Sequence, residues 1–101
     1  MPRATQFHSQ AILDAAARLG ERVRRARKAQ GRTLADLEQA SRVHRQTLAR
    51  LEKGDPGVSL GIALIALEAL GELADLELLV SRPELPRHLR GEPEEPLVRD
   101  F

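Results

Sequence analysis

With 101 residues, 42% of them apolar and 31% charged, the chain can build one domain with a core and still have residues left for arms and tails. Phe7 and Phe101 are its only aromatics, cysteine is missing, and no apolar run approaches the roughly 20 residues that cross a bilayer. This excludes aromatic platforms for unpaired bases, disulfides, thiol chemistry and cysteine-ligated zinc, and predicts a cytoplasmic protein with no membrane partner. The net charge of +1 is a cancellation: Arg18 to Lys53 holds eleven basic residues against four acids, while Gly54 to Phe101 holds four against ten. The first half therefore faces a polyanion and the second half does something else.

Met1 to His8 has no periodicity and reads as a loose arm. Ser9 offers an N-cap to a helix whose stripe runs Ile12, Ala16, Leu19, Val23, Ala26 and Gln30, in steps of three and four. Gly20 interrupts that stripe, so one long helix or two abutting ones both fit, and Gly31 stops the run. Thr33 then caps a short second helix carrying Leu34, Leu37 and Ala40. A connection around Ser41 and Arg42 leads through Val43 and His44 into a third helix with Leu48 and Leu51 inward. Gly54-Asp55-Pro56-Gly57 breaks it. Ser59 caps a fourth helix that ends at Leu70 and Gly71. Leu73, Leu76, Leu79 and Val80 predict a fifth, closed by Pro83 and Pro86. His88 to Asp100 is rich in Pro and Glu, as flexible tails are.

Two short helices joined by a tight turn, with Leu37, Val43, Leu48 and Leu51 inward, describe a helix-turn-helix. Its outward set is His44, Arg45, Gln46, Ala49, Arg50 and Lys53. Arg and Gln at the start of a groove-entering helix can bond base edges, while cations beside them reach phosphates. Fourteen of the sixteen basic residues are arginine, whose planar fork suits both targets. Solvated helix faces are the plain alternative for each of these residues.

The stretch from "LGERVRRARKAQG" through "TLADLEQASRVHRQTLARLEKGDPGVSLGIALIALEALG" resembles the lambda-repressor-like, Xre-type DNA-binding domain. Within that superfamily "RLEKGDPGVSL" is most similar to the HipB group of antitoxins. The resemblance spans Leu19 to Gly71. It implies an all-α, five-helix domain, here with an N-terminal helical extension, that binds a palindromic operator as a homodimer and represses transcription. For the HipB group it further implies an operon shared with a HipA-like kinase toxin, which the antitoxin neutralises. Residue by residue, it implies base reading by Arg45, Gln46 and Arg50, and phosphate contact at Thr33 on the second helix's N-terminus. Arg32, His44 and Lys53 join it as phosphate-side candidates. It also implies a structural ion pair between Arg27 and Glu52.

Four positions depart from the family. Leu34 stands where a phosphate-contacting Gln is common, and Glu38 where a small residue packs at the helix crossing. Arg42 replaces the turn glycine and must turn left-handed or reshape the turn. His44 replaces the usual Ser or Thr cap. Beside a phosphate, His44 would favour its charged form, so DNA binding is expected to tighten as pH falls.

The fourth helix is apolar on two sides. Leu60, Ala63, Leu64, Leu67 and Leu70 suffice to close the core, which leaves Ile62, Ile65, Ala66 and Ala69 for a dimer interface. The chain divides accordingly into an arm and helical extension over 1–18, a DNA-binding and dimerisation domain over 19–80, and a tail over 81–101. In the tail Leu97, Val98 and Phe101 suggest a hook for a partner protein. His8, His44 and His88 lack metal-ligand spacing, and Gly54 to Gly61 lacks the ending of a phosphate loop, so no metal, cofactor or enzymatic activity is expected. Two rival functions remain: a stand-alone Xre-type regulator without a toxin, and an interaction module that has lost DNA binding.

Overall fold

The computed structural model describes residues 7–89, and the tail residues Leu97, Val98 and Phe101 lie outside them. The order is α1 (Gln10–Ala29), α2 (Leu34–Ser41), α3 (Arg45–Glu52) and α4 (Leu60–Leu70). A 3-10 segment (Leu73–Leu78) and a 3-10 turn (Arg87–Leu89) follow. All the described elements are helical. The fifth helical segment is 3-10 rather than α. Leu73 to Leu78 opens on Glu72, which makes no side-chain capping bond, and none of its residues is buried, so neither a cap nor packing supports an α-helix there.

Side chains start each α-helix. Ser9 accepts the Ile12 N–H and Ser59 accepts the Ile62 N–H. Thr33 and Asp36 form a reciprocal capping box, the Thr33 hydroxyl accepting the Asp36 N–H and the Asp36 carboxylate accepting the Thr33 N–H. The Thr33 N–H chiefly, and the Thr33 side chain next, hold the Asp36 carboxyl below its ordinary range. Helix α2 ends on Arg42 in the left-handed region, φ 63°, its N–H donating to the Glu38 carbonyl. The turn thus keeps its glycine-like shape with an arginine in it, at a backbone cost of about 1 kcal/mol.

Val23, Leu37, Val43, Leu48, Leu51, Ala66 and Leu70 form the core, with Leu37 and Leu48 fully enclosed. Helix α1 is continuous through Gly20, and that glycine packs directly against the end of α3. A Cβ there would lie 2.5 Å from the carbonyl oxygens of both Leu51 and Glu52. Gly54 completes the seam from the other side: it has φ +84°, and a Cβ on it would lie 2.5 Å from Cα of Ala17. The end of α3 therefore rests on the backbone of α1. The outer turns of α1 are not part of this packing, since Ile12 is 47% and Leu13 38% exposed. Of the inward stripe expected from Ile12 onward, Ala16 is half-buried, Leu19 is still exposed, and Val23 is the first residue fully inside.

Helix α4 corrects the sequence expectation. Ala66 is fully buried, and Ile62 and Ala69 pack against the core, so three of the four residues assigned to a dimer interface face their own domain. Leu60, assigned to the core, is 70% exposed. Ile65 alone of the interface set is exposed. The face that packs runs between the two expected stripes and includes the fully buried Ala66, and α4 packs against α2. In a helix whose sole charged residue is Glu68, apolar spacing has too little contrast to orient it.

Candidate nucleic-acid interface

Helix α3 has two contrasting sides. Leu48, Leu51 and Glu52 are buried, while His44, Arg45, Gln46, Arg50 and Lys53 are exposed. The buried side is anchored by an ion pair. Arg27 donates from Nε to Glu52 Oε2 at 2.7 Å and from Nη2 to Oε1 at 2.9 Å, and both side chains are more than nine-tenths buried. Its remaining Nη1 donates to the Arg32 carbonyl at 2.8 Å. The hydrogen bonds to Glu52 hold the Arg27 guanidinium in its charged form against the cost of burial. One side chain of α1 thereby fixes both the base of α3 and the loop before α2.

The exposed arginines are braced as well. Arg45 donates from Nε to Glu38 Oε1 at 2.8 Å, across the turn from α2. Arg50 donates from Nε to Asp55 Oδ2 at 2.8 Å, in the turn that follows α3. Asp55 is itself fixed, its Oδ1 accepting the Gly57 N–H at 2.8 Å. Its carboxyl lies below the usual range, chiefly because of Arg50 and next because of that N–H. Glu38 and Asp55 were not singled out as site residues from the sequence. The seven-residue step from Glu38 to Arg45 follows no helical period because a turn intervenes, and the five-residue step to Asp55 leaves its helix.

The phosphate-side candidates scatter. Arg32 is half-buried, and its Nη1 donates to Gln30 Oε1 and to the Ala69 carbonyl, both at 2.9 Å. Together with Gln30, which donates to the Leu70 carbonyl at 2.9 Å, it closes the C-terminal end of α4. Thr33 has its hydroxyl committed to the capping box, with Lys28 and Arg32 beside it around a shallow hollow at the start of α2. His44 does cap α3: its Nδ1 accepts the Gln46 N–H at 3.1 Å, which leaves Nε2 for an outside partner. Lys53 is exposed at the far end of α3.

An α2–turn–α3 unit of this kind, with a polar outer face and an aliphatic inner one, is matched by a family model described as helix-turn-helix, over residues 23–76. The chain belongs to the helix-turn-helix family. The match starts in the middle of α1 and ends inside the 3-10 segment, so it takes in the ion pair, both braced arginines and α4. It makes the protein a DNA-binding transcription regulator of the lambda-repressor and Xre-like kind. In helix-turn-helix proteins the second helix of the unit, here α3, enters the major groove. No curated protein and no solved structure matches the chain. Among the described residues there is no cluster of His, Asp and Glu able to hold a metal, and no helix long and apolar enough to cross a membrane.

Proposed function

We propose that the protein is a sequence-specific repressor that reads a short palindromic operator as a homodimer, with Arg45, Gln46 and Arg50 on base edges. The observation that carries this is the exposed side of α3, where those three side chains stand on a helix whose other side is buried and ion-paired. Thr33, Lys53 and Nε2 of His44 are the phosphate-side groups. Arg32 has two carbonyl or amide oxygens to satisfy first. Affinity falls steeply with added salt, because arginine–phosphate contacts release counterions. Arg45→Ala should cost about 1–3 kcal/mol on the preferred duplex and relax base choice. A gel shift on the protein's own promoter and on random DNA, at one moderate salt concentration, checks this. Equal loss on both duplexes would remove Arg45 from base reading.

The dimer surface we infer lies on the side of α4 away from Ala66. Leu19, Leu60, Leu64, Leu67, Leu76 and Leu79 line an apolar groove of about 390 Å³ between α1, α4 and the 3-10 segment. Arg22, Glu72 and Asp75 also line it, so a two-fold axis that set Arg22 against the partner's acids would pair opposite charges. Leu60→Asp should leave the fold intact, since Leu60 is 70% exposed, and should shift sedimentation from dimer to monomer. Unchanged sedimentation would place the dimer elsewhere.

The HipB-like run "RLEKGDPGVSL" supports one finer reading, that the repressor is the antitoxin of a HipA-like kinase and regulates their shared operon. In the structure this run is the end of α3, the Asp55 turn and the start of α4. A neighbouring reading frame for a kinase-like protein, and its co-purification with this chain, would support that reading. A promoter-binding protein with no such neighbour is a stand-alone regulator.

A further inference from the structure

The two arginines on the outer side of α3 are held differently from the one beneath it. Arg27 uses Nε and both Nη nitrogens on protein acceptors. Arg45 and Arg50 each make one hydrogen bond among the described residues, and in both it runs from Nε to a carboxylate. That leaves the two Nη nitrogens, the end of the fork that spans O6 and N7 of a guanine.

Stability does not account for these pairs. The Arg45 and Arg50 side chains are 59% and 53% exposed, and exposed ion pairs contribute little to folding. DNA attraction does not account for them either, because a carboxylate on a surface facing phosphates weakens binding to every sequence alike. What each pair does is remove rotamer freedom from a long side chain before a base arrives. The carboxylates suit that task. Glu38 stands on α2, a helix fixed by its capping box, and Asp55 is held independently by the Gly57 N–H. The braces flank α3, one from the helix before it and one from the turn after it.

We propose that Glu38 and Asp55 are specificity-determining positioning residues, which hold Arg45 and Arg50 by Nε so that their Nη nitrogens meet two guanines of each operator half-site. This rests on α3 being the base-reading helix, and the experiment separates the two ideas. The preferred duplex is selected from a randomised pool with the unaltered protein. Affinities for that duplex and for a random one are then measured at one salt concentration for Arg45→Ala, Glu38→Ala, Glu38→Gln and Asp55→Asn. Circular dichroism and thermal unfolding check that each variant is folded.

Arg45→Ala and Glu38→Ala should each lower the ratio of preferred to random affinity by roughly tenfold. Glu38→Gln, which keeps an acceptor oxygen without the charge, should recover part of that ratio. Asp55→Asn should relax choice at a second guanine position and leave the first unchanged. Binding of random DNA should hold or rise in all three carboxylate variants, a result that loss of fold would not give. If Arg45→Ala collapses the ratio while both Glu38 variants leave it intact, the positioning role is overturned and base reading by α3 stands. If Arg45→Ala leaves the ratio intact, or the selected duplexes lack guanine at these positions, both ideas fall.

Discussion

The two sides of α3 obey different rules although they share eight residues. On the inner side every polar group is committed: Glu52 takes two bonds from Arg27, and the third nitrogen of that arginine closes the next loop. On the outer side the guanidinium groups are committed by one nitrogen each. The inner side thus sets where the helix lies, and the outer side keeps donors for something else. Burial explains the division. An unpaired charge inside costs several kcal/mol, whereas an unpaired N–H at the surface is met by water.

Substitutions break or sharpen that comparison, beginning with the inner side. Glu52→Ala leaves the Arg27 charge buried without its partner and should cost about 3–5 kcal/mol of stability, measured by urea unfolding. A loss no larger than that expected at an exposed ion pair would show that Arg27 escapes to solvent. Gly20→Ala should cost about 2–3 kcal/mol, because the added methyl meets two backbone carbonyls that cannot rotate away. Its effect on DNA binding should exceed its effect on folding at low temperature, since α1 and the end of α3 must separate to admit it. The smallest change is of opposite sign. Arg42→Gly relieves the left-handed residue between α2 and α3 and should stabilise by about 1 kcal/mol, raising the melting temperature. No gain would mean that the arginine side chain offsets its backbone cost through contacts of its own.

Much of the fold was legible because inward positions of short helices keep a fixed spacing. Leu37, Val43, Leu48 and Leu51 are all buried, and Ser9, Thr33 and Ser59 all cap the helices they precede. Legibility failed where contrast failed. Helix α4 has apolar residues on nearly every side, so its packed face, where Ala66 and Leu70 are buried, could not be picked out by spacing. It failed again where partners are brought together by turns. Arg32 reaches Ala69 from 37 positions away, whereas Arg27 and Glu52, 25 apart, do pair as the family resemblance implied. No period in the sequence connects such residues. The outer arginines were visible as charges, but their braces were not, because Glu38 looked like a misfit at a helix crossing and Asp55 like one letter of a breaker motif.

The glycine seam between α1 and α3 carries a consequence for how such a regulator can diversify. Beside the Arg27–Glu52 pair, its mount is made of main chain, with Gly20 against two carbonyls and Gly54 against Ala17. Exchanging the outward side chains of α3 therefore leaves the orientation of the helix undisturbed. New target sequences can be sampled one residue at a time, while a change at either glycine tilts all the outward residues together.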